Sequence, residues 1–134
     1  AVIVGPQGSH IDFKHLRLLR YFEKHGFNLP VQTHDVSGFL FCIHRERFLS
    51  HNLCFDVRFS PCFFEEWDMG LQVIRAGLAC YAVPVVGFDH HWGVSKLREN
   101  GSVCYFGKEM KLREVHSANR RQFIHKWRHI IRPS

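Results

Sequence analysis

A chain of 134 residues with 46% hydrophobic and 22% charged residues, thirteen Phe among them, has the composition of a folded domain and excludes a disordered or low-complexity segment. Its length suits one domain, 1–134, with one core. The net charge of +6 lies in the tail: from Lys96 onward ten Lys or Arg face three Asp or Glu, whereas residues 1–95 carry eight against nine.

Ala1 to Gly5 is a short apolar run stopped by Pro6, and it reads as an interior sheet strand. From Ile11 to His25 the apolar positions Ile11, His15, Leu18, Leu19 and Phe22 recur near helical period before Gly26, which predicts a helix. Val36 to Ile43 is too apolar and short for a surface helix and reads as a buried strand, followed by a short helix over Arg45 to Leu49. A helix is predicted over Glu65 to Ala76, closed by Gly77, and a strand over Ala79 to Val86. A basic final helix is expected over 107–131, its body from about Lys108, with Leu112, Val115, Phe123, Trp127 and Ile130 on one stripe. Helix and strand alternating over one sheet make the fold class α/β.

Five cysteines (Cys42, Cys54, Cys62, Cys80 and Cys104) form no C-x-x-C pair, and their apolar surroundings predict buried thiols in a reducing compartment. No Cys/His spacing matches a structural zinc module. No apolar run reaches the ~18 residues of a membrane span, so the expectation is a cytoplasmic protein, soluble or peripheral at the membrane face. The basic tail suits phosphates of a nucleotide, a lipid-linked sugar or an anionic membrane, and equally suits a solvated helix face. In the membrane version Phe123, Trp127, Ile130 and Ile131 dip into the interface. Nucleic-acid binding through Arg113, Arg120, Arg121, Lys126 and Arg128 is disfavoured, because no reading motif accompanies them.

Chemistry concentrates between Phe55 and Ser95. Glu65, Glu66 and Asp68 open a helix, where free N–H groups and the macrodipole stabilise negative charge, and Trp67 lies among them. That acidic start has a purely structural explanation. A flat aromatic face beside a carboxylate also suits the C–H face of a sugar. His90 follows the strand, and the choice between His90 and His91 as a functional imidazole stays open.

The order of segments resembles the catalytic half of family 2 glycosyltransferases of the GT-A fold. Ser37-Gly38, Arg45-Glu46-Arg47-Phe48, Phe55-Asp56-Val57-Arg58-Phe59, Glu65-Glu66-Trp67-Asp68, Arg75-Ala76-Gly77, Val83-Pro84 and His90-His91-Trp92-Gly93-Val94-Ser95 resemble that family's motifs in sequence, as do Ile3 to Pro6 and Asn119 to Trp127. The resemblance implies a partial GT-A, Rossmann-like sheet with flanking helices and inverting transfer from a nucleotide-sugar donor to a saccharide or lipid-linked acceptor. It implies Glu66 as the base, one methylene longer than the family's usual Asp, with Glu65 as rival. Asp68, Trp67, Trp92 and Gly38 are implied around the acceptor, His90 at a Mg²⁺ or Mn²⁺ ion and Ser95 at the donor diphosphate. The family's nucleotide-binding half, which ends in Asp-x-Asp, has no counterpart here. The chain is accordingly expected to be the acceptor half, whether of an enzyme or of a non-catalytic glycan- or anion-binding module.

Overall fold

The computed structural model describes residues 1–91 and 101–131. Two short strands, β1 (Ile3–Gly5) and β7 (Cys80–Ala82), pair in parallel with Ile3 opposite Cys80 and Gly5 opposite Ala82. Antiparallel neighbours flank them: β4 (Val31–Thr33) on β7, and β6 (Cys42–Ile43) on β1. The order is β4-β7-β1-β6, so the opening strand is interior, as its apolar sequence predicts. A second, antiparallel sheet has the order β3-β2-β5, from β2 (Gly8–Asp12), β3 (Arg17–Phe22) and β5 (Asp35–Val36). The backbone N–H and the Oγ of Ser9 both donate to the buried Asp35 carboxylate, at 2.7 and 2.6 Å, tying β2 to β5.

Helix α1 (Arg45–Ser50) and a 3₁₀ turn (Val57–Phe59) lead to helix α2 (Glu65–Arg75). The α2 helix is apolar on two sides. Met69 and Val73, one turn apart, join Val2, Ile3, Val36 and Cys80 in one core cluster. Leu71 points the other way, into a cluster with Phe59, Phe123, Trp127 and Ile131. Gly70 lets α2 approach the backbone before β5, since a Cβ there would lie 2.1 Å from the His34 carbonyl oxygen. After Gly101 come the hairpin β8 (Ser102–Tyr105) and β9 (Lys108–Lys111), then helices α3 (Leu112–Lys126) and α4 (Arg128–Ile131).

The architecture is α/β, as expected, but among the described residues six strands precede the first helix and the strands form three sheets in place of one alternating α/β sheet. Several boundaries differ from expectation. In place of a helix over Ile11 to His25 there is the β2–β3 hairpin. Its turn has no Gly or Pro to mark it; Leu16 takes the left-handed conformation at φ 52°, and Asp12 closes it by pairing with His15 and Arg17. The helical period there is coincidental, because Leu18 and Leu19 are exposed on an edge strand and only Ile11 and Phe22 reach the core. The expected strand over Val36 to Ile43 is two strand ends, β5 and β6, in different sheets, with Ser37 to Phe41 turning between them. The strand expected over Ala79 to Val86 shrinks to β7, as Pro84 has no N–H to donate and Val85 and Val86 are exposed. The first residues expected in the final helix form β9 instead, and Ile131 replaces Ile130 as the buried end of its stripe. All five cysteines are free thiols, but only Cys80 is buried, while Cys42, Cys54 and Cys104 are exposed. Among the described residues no helix is long and apolar enough to cross a membrane.

Candidate acceptor and base site

The chain enters α2 through two consecutive left-handed residues, Phe63 at φ 78° and Phe64 at φ 72°. A bulky side chain in that region costs about 1–3 kcal/mol and persists only when its surroundings impose it. Asn119 of α3 does so. Its Nδ2 donates to the carbonyls of Phe59 and Cys62, both at 2.7 Å, and lies 3.3 Å from that of Phe63. The Phe64 ring then packs against Phe123, Trp67 and His116. The first turn of α2 therefore stands in a fixed orientation, carrying Glu65 and Glu66.

Glu66 reaches across to the turn after β5, where the Gly38 backbone N–H donates to its Oε1. A Cβ on Gly38 would sit 2.8 Å from that oxygen, so glycine leaves the room this contact needs. Burial pushes the Glu66 carboxyl up to about 7; the Gly38 hydrogen bond opposes the shift, and the nearby Asp35 and Glu65 charges add to it. Burial also raises the Glu65 carboxyl, with only its own backbone N–H pulling it down. Glu65 Oε2 is buried and has no hydrogen-bond partner among the described residues. Both carboxyls and Gly38 line a cavity of about 150 Å³ whose other walls include Phe41, Phe55 and Met69. A carboxyl half ionised at neutral pH, facing such a cavity, is suited to take a proton from a hydroxyl group.

The other expected site residues are placed differently. Asp68 is only 1% exposed and holds α3. Trp127 Nε1 donates to its Oδ1 at 2.7 Å, while Gln72 Nε2 and Lys126 Nζ donate to its Oδ2 at 2.7 and 2.9 Å. Lys126 also bonds Asp56 at 2.8 Å, and Arg58 pairs with Asp56 from the outside at 2.6 Å. The Arg58 and then the Lys126 hydrogen bonds hold the Asp56 carboxyl well below the usual carboxylate range. Asp68 is thus a structural anchor and does not line the cavity. Nor does Trp67, whose ring sits edge-on among Phe13, Phe64 and Phe123 at centroid distances of 6.1, 5.7 and 6.2 Å. Core packing accounts for its place.

His90 stacks on Phe39 with ring centroids 3.9 Å apart, and its Nδ1 lies 3.3 Å from Gln7 Oε1. The Tyr21 hydroxyl donates to the same Gln7 oxygen at 2.8 Å and lies 2.7 Å from Ser37 Oγ. A polar chain therefore runs from His90 through Gln7 and Tyr21 to Ser37, beside the Gly38 N–H that holds Glu66. Burial pushes the Tyr21 phenol up to about 12, so it stays a donor at neutral pH. Gln7 and Tyr21 were not apparent from sequence; a Gln at 2% exposure among turn residues carries no pattern that marks it. Among the described residues no three His, Cys, Asp or Glu side chains are placed to hold a metal ion. Trp92 and Ser95 lie outside the described residues.

The apolar stripe expected at a membrane is in the core instead: Phe123, Trp127 and Ile131 are buried. Comparison of this chain with protein-family models, with curated proteins and with solved structures finds no match.

Proposed function

We propose that this chain is the acceptor-binding half of an inverting glycosyltransferase, with Glu66 as the base. One observation carries the reading. The Glu66 carboxyl, pushed up to about 7, faces a cavity with apolar walls while one of its oxygens is fixed by the Gly38 N–H. In the reaction an acceptor hydroxyl gives its proton to Glu66 as its oxygen bonds to the anomeric carbon, and the bond from that carbon to the nucleoside diphosphate breaks with inversion. Glu65 Oε2, buried without a hydrogen-bond partner among the described residues, would accept a hydrogen bond from a second donor group on the acceptor. Phe41, Phe55 and Met69 offer the apolar contact that a sugar's C–H face prefers. The motif order from Ser37 to His90 supports the same assignment. Donor and cation binding fall to a nucleotide-binding half, as the resemblance implies.

The test is release of nucleoside diphosphate from UDP-, GDP- and dTDP-sugars with saccharide acceptors, by the protein together with that half and by its Glu66→Gln variant. Transfer that falls at least ~1000-fold in the variant, while acceptor binding persists, is the expected result. Undiminished turnover refutes the assignment of the base. A second reading, a non-catalytic glycan-binding module, rests on the same cavity, whose apolar walls and carboxyls would hold a saccharide whether or not transfer follows. It predicts saccharide binding with no transfer in either protein.

A further inference from the structure

We propose that the β8–β9 hairpin is a membrane-surface contact, seating this chain on an anionic lipid bilayer. The two strands pair with Tyr105 opposite Lys108, so Phe106 and Gly107 alone make the turn, at φ 48° and 76°. Such a two-residue turn favours Asn-Gly, because its first position is left-handed. Here that position holds a Phe, which is 91% exposed. Neither local backbone preference nor core packing explains an aromatic ring at the tip. The Tyr105 ring meets it edge-on at 4.6 Å and is itself 36% exposed, so the tip presents a continuous aromatic surface.

The pairing register sorts the remaining side chains. Residues two apart share a face, so Val103, Tyr105, Lys108 and Met110 lie on one side of the ribbon. Ser102, Cys104, Glu109 and Lys111 lie on the other. The first face is apolar with an exposed lysine beside the tip, and its acidic neighbour Glu109 is on the opposite face, accepting a hydrogen bond from Ser102 Oγ at 2.6 Å. An aromatic tip flanked by lysine suits the boundary between headgroups and acyl chains, where a ring buries its body and a lysine reaches anionic headgroups. Charge decides the occupant: the ribbon and the helices that follow expose Lys108, Lys111, Arg113, Arg120, Arg121 and Arg128 against Glu109 and Glu114, a balance that complements an anionic surface. This contact is separate from the helix stripe, whose apolar residues are buried, and it does not depend on sugar transfer.

Sedimentation of the full chain with vesicles of phosphatidylcholine, alone and mixed with phosphatidylserine, tests the proposal. The expected result is salt-sensitive binding to the mixed vesicles only, reduced about tenfold by Phe106→Ser and retained by Phe106→Trp. Thermal melting should be unchanged in both variants, because the side chain is exposed. Equal binding by the wild type and Phe106→Ser overturns the proposal. So does failure of the folded wild type to bind mixed vesicles, which would return the tip to contact with a protein partner.

Discussion

Replacing Glu66 with Gln should make the protein relatively more stable as pH rises. Burial raises the carboxyl from 4.5 to about 7 in the folded state, so the folded chain holds a proton that the unfolded chain has released. Below about pH 4.5 both states are protonated and ionisation costs nothing. Between there and about pH 7 the unfolded state binds fewer protons, and wild-type stability falls as pH rises. A shift of about 2.5 units at 1.36 kcal/mol each sets a ceiling near 3 kcal/mol; residual solvent access brings the expected change to about 2 kcal/mol. Glutamine keeps an oxygen to accept the Gly38 N–H and never ionises. Any fixed cost of burying its amide is the same at every pH, so the diagnostic is the slope of the difference. Urea unfolding of both proteins, followed by tryptophan fluorescence, should show the variant gaining about 2 kcal/mol on the wild type between about pH 5 and pH 8, roughly 1 M in midpoint. Titrating groups that do not interact with Glu66 are common to both and cancel. A difference that stays flat with pH would mean that Glu66 ionises at an ordinary value, and the argument for a base poised near neutrality would fail.

Gly38→Ala should fold, because the atom its Cβ would crowd is the end of a flexible side chain, but it should swing Glu66 away. Transfer should then fall at least ~10-fold with little change in melting temperature, since small displacements of a reacting group are costly. Asn119→Ala should lose about 2–3 kcal/mol in urea unfolding, having left three carbonyls without their shared donor above a strained left-handed pair; a loss below about 0.5 kcal/mol would show that the pair holds itself. Lys126→Met should cost about 2–3 kcal/mol near neutral pH by leaving Asp56 and the buried Asp68 short of a cation. Because the Asp56 carboxyl is lowered on folding, its stabilisation is present above about pH 4 and is lost as pH falls, so the variant's deficit should shrink in acid. A deficit that grows on acidification would contradict this.

The sequence made the Glu65 to Arg75 helix visible because two signals coincide there: acids at its start and Gly77 past its end. It also placed β1, through an apolar run stopped by Pro6. It misread Ile11 to His25 because the turn is made by Leu16 in a left-handed conformation and an Asp12 ion pair, neither of which is a turn signal in residue type. At the site, the resemblance brings Glu66, Glu65 and Gly38 together, and the three line one cavity. The roles of Asp68 and Trp67 were not, because a carboxylate on a helix reads the same whether it faces a ligand or a lysine fifty-eight residues away. Asn119 shows the same limit: an Asn in mid-helix reads as a surface residue, and only tertiary structure brings it beneath the Phe63-Phe64 bend.

That clamp also sets an order of events during synthesis. Strands β1 to β7 and α2 leave the ribosome well before Asn119, Lys126 and Trp127, yet the bend before α2 acquires its Asn119 donor, and the Asp68 carboxylate all its side-chain partners but Gln72, from those late residues. A nascent chain that has reached Arg75 therefore carries both glutamates on a helix whose start is not yet fixed. The cavity they line gains its final shape only as α3 and α4 fold back onto α2, so its assembly waits on residues made after its own walls.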